Sequence, residues 1–165
     1  MEDSDQNERA KVRMFPDYAE TVLWFGGPVD YDRTGLAESL VRDLRAWEDS
    51  YYAALAPDLG WKSPHEATRF TEQGEHLAQR VADELGDKYE VEFTPYVENA
   101  QPRRFHGTKA PNPRAVTAFD VLATKIRIEQ NQMNRLEAEK DGSLTAYAPS
   151  SNTIFMPPKG KDAGK

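Results

Sequence analysis

Three short segments carry the hydrophobic patterns of β-strands. Residues 11–15 and 88–96 alternate charged and apolar side chains, as strands with one solvated face do. Residues 21–25 form a short apolar run that a Gly-Gly-Pro sequence ends, which predicts a hairpin with the first segment. A third strand placed beside the first would set glutamates next to Lys11 and Arg13 and would bury the apolar side chains of both strands.

Two longer segments between the strands follow the period of an α-helix. In residues 34–55, six apolar side chains recur at steps of three or four and form one face. Residues 63–85 begin with a serine that can cap the free N–H groups and a proline suited to the first turn, and Gly86 follows as a C-terminal cap. Together these elements predict an acidic α+β domain over residues 11–98, in which a short antiparallel or mixed sheet packs against two helices in two layers.

The rest of the chain is predicted as additions to this domain. Residues 1–10 are polar and acidic and are expected to be disordered. Residues 99–112 combine prolines with basic side chains, which predicts an extended basic linker. A long C-terminal helix is expected over residues 113–140, followed by an extended or disordered tail over residues 141–165.

Charge divides the chain into two parts of opposite sign. Residues 1–98 contain 10 Lys and Arg against 22 Asp and Glu, a net charge of −12. Residues 99–165 contain 11 against 6, a net charge of +5, and the whole chain has −7. Such asymmetry indicates either a basic segment folded onto its own acidic domain or one that binds an acidic partner. The sequence leaves both alternatives open.

Composition and hydropathy exclude several classes of protein. The chain has no cysteine, which excludes disulfides, thiolate metal sites and cysteine nucleophiles and is common in a reducing compartment. No run approaches the roughly 18–20 apolar residues that span a bilayer, and the acidic N-terminus is unlike a signal peptide. We therefore expect no membrane partner and a cytoplasmic location.

No motif for catalysis, metal binding or nucleotide binding stands out. Glu72 and His76 lie one helical turn apart, but two ligands on an open surface are too few for a metal site. Asp17, Asp30 and Asp32 lie around the predicted hairpin in a spacing that matches no calcium loop, and turn and capping roles account for them. We predict no enzyme activity, no metal and no cofactor. An active site formed by residues that are distant in sequence and meet in the fold is the alternative that motifs do not detect.

The predicted partner-binding surface lies in the basic C-terminal part. The linker contains a basic patch with an aromatic side chain inside it, and such a patch suits phosphates as well as acidic protein surfaces. The long helix carries two apolar residues nearly opposite its main apolar stripe, and the tail adds further apolar anchors. The predicted partner-binding residues are Arg103, Arg104, Phe105, Lys109, Val121, Ile128, Tyr147, Ile154 and Phe155.

Short motifs over residues 13–93 resemble those of a group of small, uncharacterised actinobacterial or actinophage proteins. The motifs are Phe-Pro-Asp-Tyr at residues 15–18, Leu-Trp at residues 23–24 and Glu-Leu-Gly at residues 84–86. The group has no established activity, so the resemblance implies a bacterial or phage source and brings no catalytic residues with it. A phage source would imply association with the virion. The stretch after residue 99 departs from the shared plan.

The leading hypothesis is a non-catalytic protein-interaction protein, either a component of a larger assembly or a binder of the inhibitor or immunity type. A compact acidic domain joined to a basic helix with two apolar faces motivates it. The expected partner is a protein, and self-association through the helix of residues 113–140 is one form of this. The alternatives are a nucleic-acid-associated accessory protein that uses the basic segment and an enzyme of unknown type.

Overall fold

The structure of the protein is a computed structural model that describes residues 9–140. The described part contains strands and helices in the arrangement of an α+β fold, which confirms the predicted fold class, and a short 3-10 helix over Tyr31–Arg33 precedes the first α-helix. The strands are β1 (Ala10–Met14), β2 (Leu23–Trp24), β3 (Tyr89–Phe93) and β4 (Arg103–Phe105), and the helices are α1 (Glu38–Ala53), α2 (Pro64–Leu85) and α3 (Pro113–Lys140).

The strands form one mixed sheet in the order β2-β1-β3-β4. β1 and β3 run parallel, with Val12 beside Val91 and Lys11 beside Glu90. β2 pairs with β1 and β4 pairs with β3, both in antiparallel. Because parallel neighbours cannot be joined by a tight turn, α1 and α2 form the crossover between them. The predicted hairpin and the predicted pairing of the first and third strands are both confirmed.

The segment 99–112, which the sequence predicts as an extended linker, contains the fourth strand of the sheet. Arg104 lies opposite Glu92 and Phe105 lies opposite Val91 of β3. Only three residues of this strand pair, and a stretch so short between prolines shows no alternation that predicts a strand. The chain therefore stays with the domain beyond residue 98 and completes its sheet.

The core lies between the sheet and the helices α1 and α2. Trp47 of α1 stacks on Phe70 of α2 with 4.3 Å between ring centroids, and its Nε1 donates to the Phe70 carbonyl at 2.9 Å. Phe93 of β3 meets the Trp47 ring edge-on at 5.8 Å. A Cβ atom at Gly74 would lie 2.5 Å from Phe93 and 2.6 Å from Trp47, so only glycine lets α2 approach this cluster. Each large side chain buried here contributes about 1.5–3 kcal/mol before entropy is subtracted.

The helix ends follow local backbone chemistry. α1 begins at Glu38, later than the hydrophobic period predicts, and Gly35 before it has a φ of 70° and packs against the backbone of α3. α2 begins as predicted, because the Ser63 hydroxyl accepts a hydrogen bond from the N–H of Glu66 at 3.3 Å. Gly86 follows the last turn of α2 with a φ of 80°, a conformation that glycine tolerates best.

Contacts divide the chain into two compact units, residues 1–122 and residues 123–165. The first ten residues of α3 belong to the first unit. Asp120 of this stretch forms a 2.8 Å ion pair with Lys88 and accepts a hydrogen bond from the Tyr89 hydroxyl, and these two contacts hold the pKa of the Asp120 carboxyl below its ordinary value. The buried apolar side chains of the same stretch are Ala115, Phe119 and Leu122.

The second unit is described only over residues 123–140, which are the remaining turns of α3. Most side chains in these turns are exposed, and a hydrogen bond from Gln130 to Asn134 joins two of them across one turn. The large apolar side chains that are exposed here are Ile128, Met133 and Leu136.

Candidate partner-binding surface

On the outer face of the sheet, the two glutamates of β3 are neutralised by cations of the same chain. Glu92 contacts Lys11 at 3.2 Å and Arg13 at 3.5 Å across the parallel strands. Arg104 of β4 lies 3.5 Å from Glu90 and 3.9 Å from Glu92. The side chains of Glu90 and Glu92 are only 12% and 13% exposed, since these cations cover them. The paired sheet face, as we call this network, consists of Lys11, Arg13, Glu90, Glu92, Arg104 and His106.

The basic residues predicted to bind a partner lie against the acidic domain itself. Arg103 forms a 2.8 Å ion pair with Glu75 of α2, while Arg104 belongs to the paired sheet face. Phe105 is half-buried and packs against the core, and Lys109 is exposed. Of the two alternatives for the basic segment, the structure thus shows docking onto its own domain for residues 103–106. Binding of nucleic acid through this segment stays a prediction, and it would have to compete with these carboxylates.

The remaining predicted partner-binding residues are not brought together with the basic segment by any described contact. Val121 is 61% exposed and Ile128 is 49% exposed, and they belong to different units. Tyr147, Ile154 and Phe155 lie outside the described residues. Whether these side chains bind a partner, or associate with a second copy of the chain, stays a prediction.

A second acidic region surrounds the loop between β1 and β2. Phe15 stacks on Trp24 with 4.9 Å between ring centroids and an interplanar angle of 4°. Trp24 Nε1 donates to the Phe15 carbonyl at 2.9 Å, which ties the loop to β2. Tyr18 meets the Trp24 ring edge-on at 5.4 Å, and its N–H donates to Asp17 Oδ1 at 2.8 Å. Tyr18 is nevertheless 81% exposed, so one edge of its ring is held while most of its surface meets solvent.

Helix α1 lies beside this loop and adds an aromatic ring and carboxylates. The Tyr52 hydroxyl donates to the Asp17 carbonyl at 3.1 Å. Partial burial raises the pKa of Glu48, and repulsion from Asp49 and Glu20 raises it further, against the opposing effect of Arg45. We call this region the acidic tyrosine face and define it as Asp17, Tyr18, Glu20, Glu48, Asp49 and Tyr52.

The carboxylates of the acidic tyrosine face have no ion-pair partner among residues 9–140. Arg45 is a cation that influences Glu48, and its guanidinium lies 4.8 Å from the centroid of the Tyr31 ring rather than in an ion pair with a carboxylate. Attraction from Arg45 lowers the pKa of Glu48, but burial and the charge of Asp49 each have a larger effect, so the pKa is raised on balance. This face therefore presents carboxylates that have no ion pair within residues 9–140, together with two exposed tyrosines.

A groove of about 560 Å³ lies between α1 and α2. Trp47 and Leu77 line it, and so do Arg80 and Asp43, which form a 2.7 Å ion pair. The hydrogen bond from Arg80 lowers the pKa of the Asp43 carboxyl. His76 lines the groove, but no group of three or more His, Asp or Glu side chains that could hold a metal ion occurs in the described part of the chain.

Comparison with known proteins assigns the chain to a family. The model of a family described as Serratia CdiI immunity protein-like matches residues 10–96, more than half of the chain. The chain belongs to this family. No curated protein matches it at significant similarity.

Family membership supports the leading hypothesis of the sequence: the chain is a protein-interaction protein of the inhibitor or immunity type. The match covers β1 through β3 with α1 and α2, and it ends before β4. Both the paired sheet face and the acidic tyrosine face draw most of their residues from the matched region, whereas the predicted partner-binding residues all lie after it. None of the helices over residues 9–140 is long and apolar enough to cross a membrane.

Sequence reasoning missed the acidic tyrosine face. Asp17 and Tyr18 belong to the Phe-Pro-Asp-Tyr motif, from which we inferred a resemblance and, for Asp17, a role in a turn. A tyrosine that follows an aspartate in a predicted turn is a signal for an exposed aromatic side chain, because turns lie at the surface and have no apolar period. Tyr52 carried no such signal, since its neighbour Tyr51 occupies the buried stripe of α1.

Proposed function

We propose that this protein protects a bacterial cell by binding a protein toxin in the cytoplasm and blocking it, without catalysis of its own. The observation that carries the proposal is the family match over residues 10–96, which coincides with the acidic α+β domain. Binding alone suffices for such a role, since toxin and immunity protein pairs are among the tightest non-covalent complexes known. The absence of cysteine fits a protein that acts in a reducing compartment.

The charge of the domain supports a basic toxin as the partner. Residues 10–96, the part of the chain that the family shares, contain 9 Lys and Arg against 17 Asp and Glu, a net charge of −8. Opposite charge on two proteins steers their encounter and raises the association rate by roughly 10–1,000-fold at low salt. A fast association suits a protein that must capture a toxin before the toxin reaches its target.

Co-expression tests the proposal. Each toxin domain encoded in the same genome as this chain would be expressed from an inducible promoter in a bacterial host, with and without the full chain. We expect the chain to restore growth against one toxin domain and to co-elute with it as a stable complex on size exclusion. Failure to neutralise any of these toxin domains, or restored growth with no complex, would contradict the proposal.

A further inference from the structure

We propose that the acidic tyrosine face is the toxin-binding surface and that it accepts a Lys- and Arg-rich face of the toxin domain, with Tyr18 as the central anchor. This inference rests on the proposed function and specifies its surface. It differs from the sequence-based prediction, which places the partner on the basic segment and the long helix.

Unused charge is the first argument. The carboxylates of the paired sheet face are held by Lys11, Arg13 and Arg104, and they have little surface left to offer. Glu75 is held by Arg103, and Asp120 is held by Lys88. On the acidic tyrosine face, by contrast, Asp17 and Glu20 of the loop and Glu48 and Asp49 of α1 have no ion pair within residues 9–140. A cationic protein surface would gain several charge pairs there without breaking any in this chain.

The rigid presentation of Tyr18 is the second argument. A tyrosine that is 81% exposed usually moves freely, but this ring rests on Trp24, which in turn stacks on Phe15. Because the loop is fixed before the partner arrives, binding costs less conformational entropy. Tyrosine is enriched among the residues that dominate binding energy, and its ring also attracts the ammonium and guanidinium groups of a basic partner.

The link between the loop and α1 is the third argument. The Tyr52 hydroxyl holds the Asp17 carbonyl at 3.1 Å, so the loop cannot move away from the helix without losing this hydrogen bond. Glu20 of the loop adds to the effects that raise the pKa of Glu48 of α1, as expected of a carboxylate in its neighbourhood. Two tyrosines surrounded by acidic groups form the arrangement expected of an interface centre with a polar rim.

The chemistry of this face decides between possible occupants. Its carboxylates would repel the phosphates of a nucleic acid. Arg103 and Arg104 of the same chain are held elsewhere, because they pair with Glu75, Glu90 and Glu92. A basic protein remains as the occupant that the charge favours.

Binding measurements on full-length variants test the inference, with the toxin domain that co-expression identifies as the probe. The first variant is Tyr18→Ala, which should fold because Tyr18 is exposed, and circular dichroism would verify this. The second is the double variant Glu48→Gln/Asp49→Asn. Its matched control, Glu72→Gln/Glu98→Gln, removes the same two charges from exposed glutamates that are unpaired within residues 9–140 and line a different recess. Val121→Ala and Arg103→Ala report on the surface predicted from the sequence.

We expect Tyr18→Ala to raise the dissociation constant for the toxin domain by about 30-fold or more, as the loss of a central aromatic anchor does. The double variant should slow association by about tenfold at low salt and flatten its salt dependence, while the control double variant changes both by less than about twofold. Wild-type affinity in Tyr18→Ala and in the double variant would overturn the inference.

Two other results would also overturn it. One is a loss of affinity only in Val121→Ala or Arg103→Ala, which would show that the toxin binds the basic segment and the long helix instead. The other is a dimer of the wild-type chain, seen by light scattering, that Tyr18→Ala dissociates, because the face would then bind a second copy. In both cases growth protection could persist, so failure of this surface is distinguishable from failure of the proposed function, in which no toxin domain is neutralised.

Discussion

The paired sheet face and the acidic tyrosine face both carry carboxylates, yet only the first surrounds them with cations. Glu90 and Glu92 lie under Lys11, Arg13 and Arg104 and are nearly covered. On the acidic tyrosine face, Asp17 and Asp49 are exposed and lack such partners within the described residues. The same residue type therefore stabilises the fold in one region and remains available for recognition in the other.

This difference shows why net charge alone does not locate a binding surface. The charge of −12 over residues 1–98 is partly neutralised by basic residues that follow in the chain. Strand β4 pairs with β3, and its Arg104 lies close to both Glu90 and Glu92. Asp17, Glu20, Glu48 and Asp49 are among the carboxylates that have no ion pair within residues 9–140. Counting ion pairs on the folded chain thus shows which part of an acidic domain can attract a partner.

The largest expected effect comes from removing the ring that braces the acidic tyrosine face. Trp24→Ala deletes the stack on Phe15, the edge contact with Tyr18 and the hydrogen bond to the Phe15 carbonyl. We expect the free energy of unfolding to fall by about 2–3 kcal/mol in urea denaturation, somewhat less than for a fully buried tryptophan. Phe105→Ala is the variant for comparison, because it removes a half-buried ring beside the paired sheet face. If Trp24→Ala unfolds at the wild-type urea concentration, the ring does not brace the loop.

Asp120, whose carboxylate contacts two partners, should stabilise the fold as the carboxylates of the paired sheet face do. Asp120→Asn weakens the contacts with Lys88 and with the Tyr89 hydroxyl, and we expect a loss of about 1–2 kcal/mol at pH 7. Because the pKa of Asp120 is lowered in the folded protein, its contribution is present above the ordinary value of 3.8 and is lost as the pH falls below that value. The difference in Tm between wild type and variant should therefore shrink from pH 7 toward pH 3, and a constant difference would argue against the ionised contact.

Neutralising the centre of the paired sheet face should cost stability, whereas the equivalent change on the acidic tyrosine face should not. Glu92→Gln leaves Lys11, Arg13 and Arg104 without their shared carboxylate, and we expect a loss of about 1 kcal/mol. Asp49→Asn is the matched change on the other face and should alter the free energy of unfolding by less than about 0.5 kcal/mol. Equal losses in the two variants, measured by urea denaturation, would remove the distinction between the faces.

The smallest expected effect is a gain in stability rather than a loss. The pKa of Glu48 is raised by partial burial and by its acidic neighbours, so its ionised form lowers stability above the folded pKa. Glu48→Gln should therefore raise Tm at pH 7 by about 1 °C. The gain should disappear as the pH falls through the pKa of Glu48 and the wild-type carboxyl takes up a proton. A gain in Tm that stays the same at pH 4 would have another cause.

Much of the fold could be predicted because local patterns specify it. The two-residue alternation of β1 and β3, the helical stripes of α1 and α2, and the capping serine at Ser63 all depend on neighbours within a few positions. The long helix over residues 113–140 also has the predicted bounds. β4 escaped prediction because three residues between prolines carry too little periodicity, and its pairing partner lies on another part of the chain.

The sequence by itself determined the elements, the opposite charges of the two parts and the expectation of a protein partner. Only the tertiary structure decided which charges stay available, because ion pairs form between residues far apart in the chain, such as Lys11 with Glu92 and Glu75 with Arg103. The same holds for Tyr18, whose support comes from Trp24 across the hairpin and whose loop is tied to Tyr52 of α1. Local patterns specify how a segment folds, whereas the packing of distant segments specifies which of its side chains are left to bind another protein.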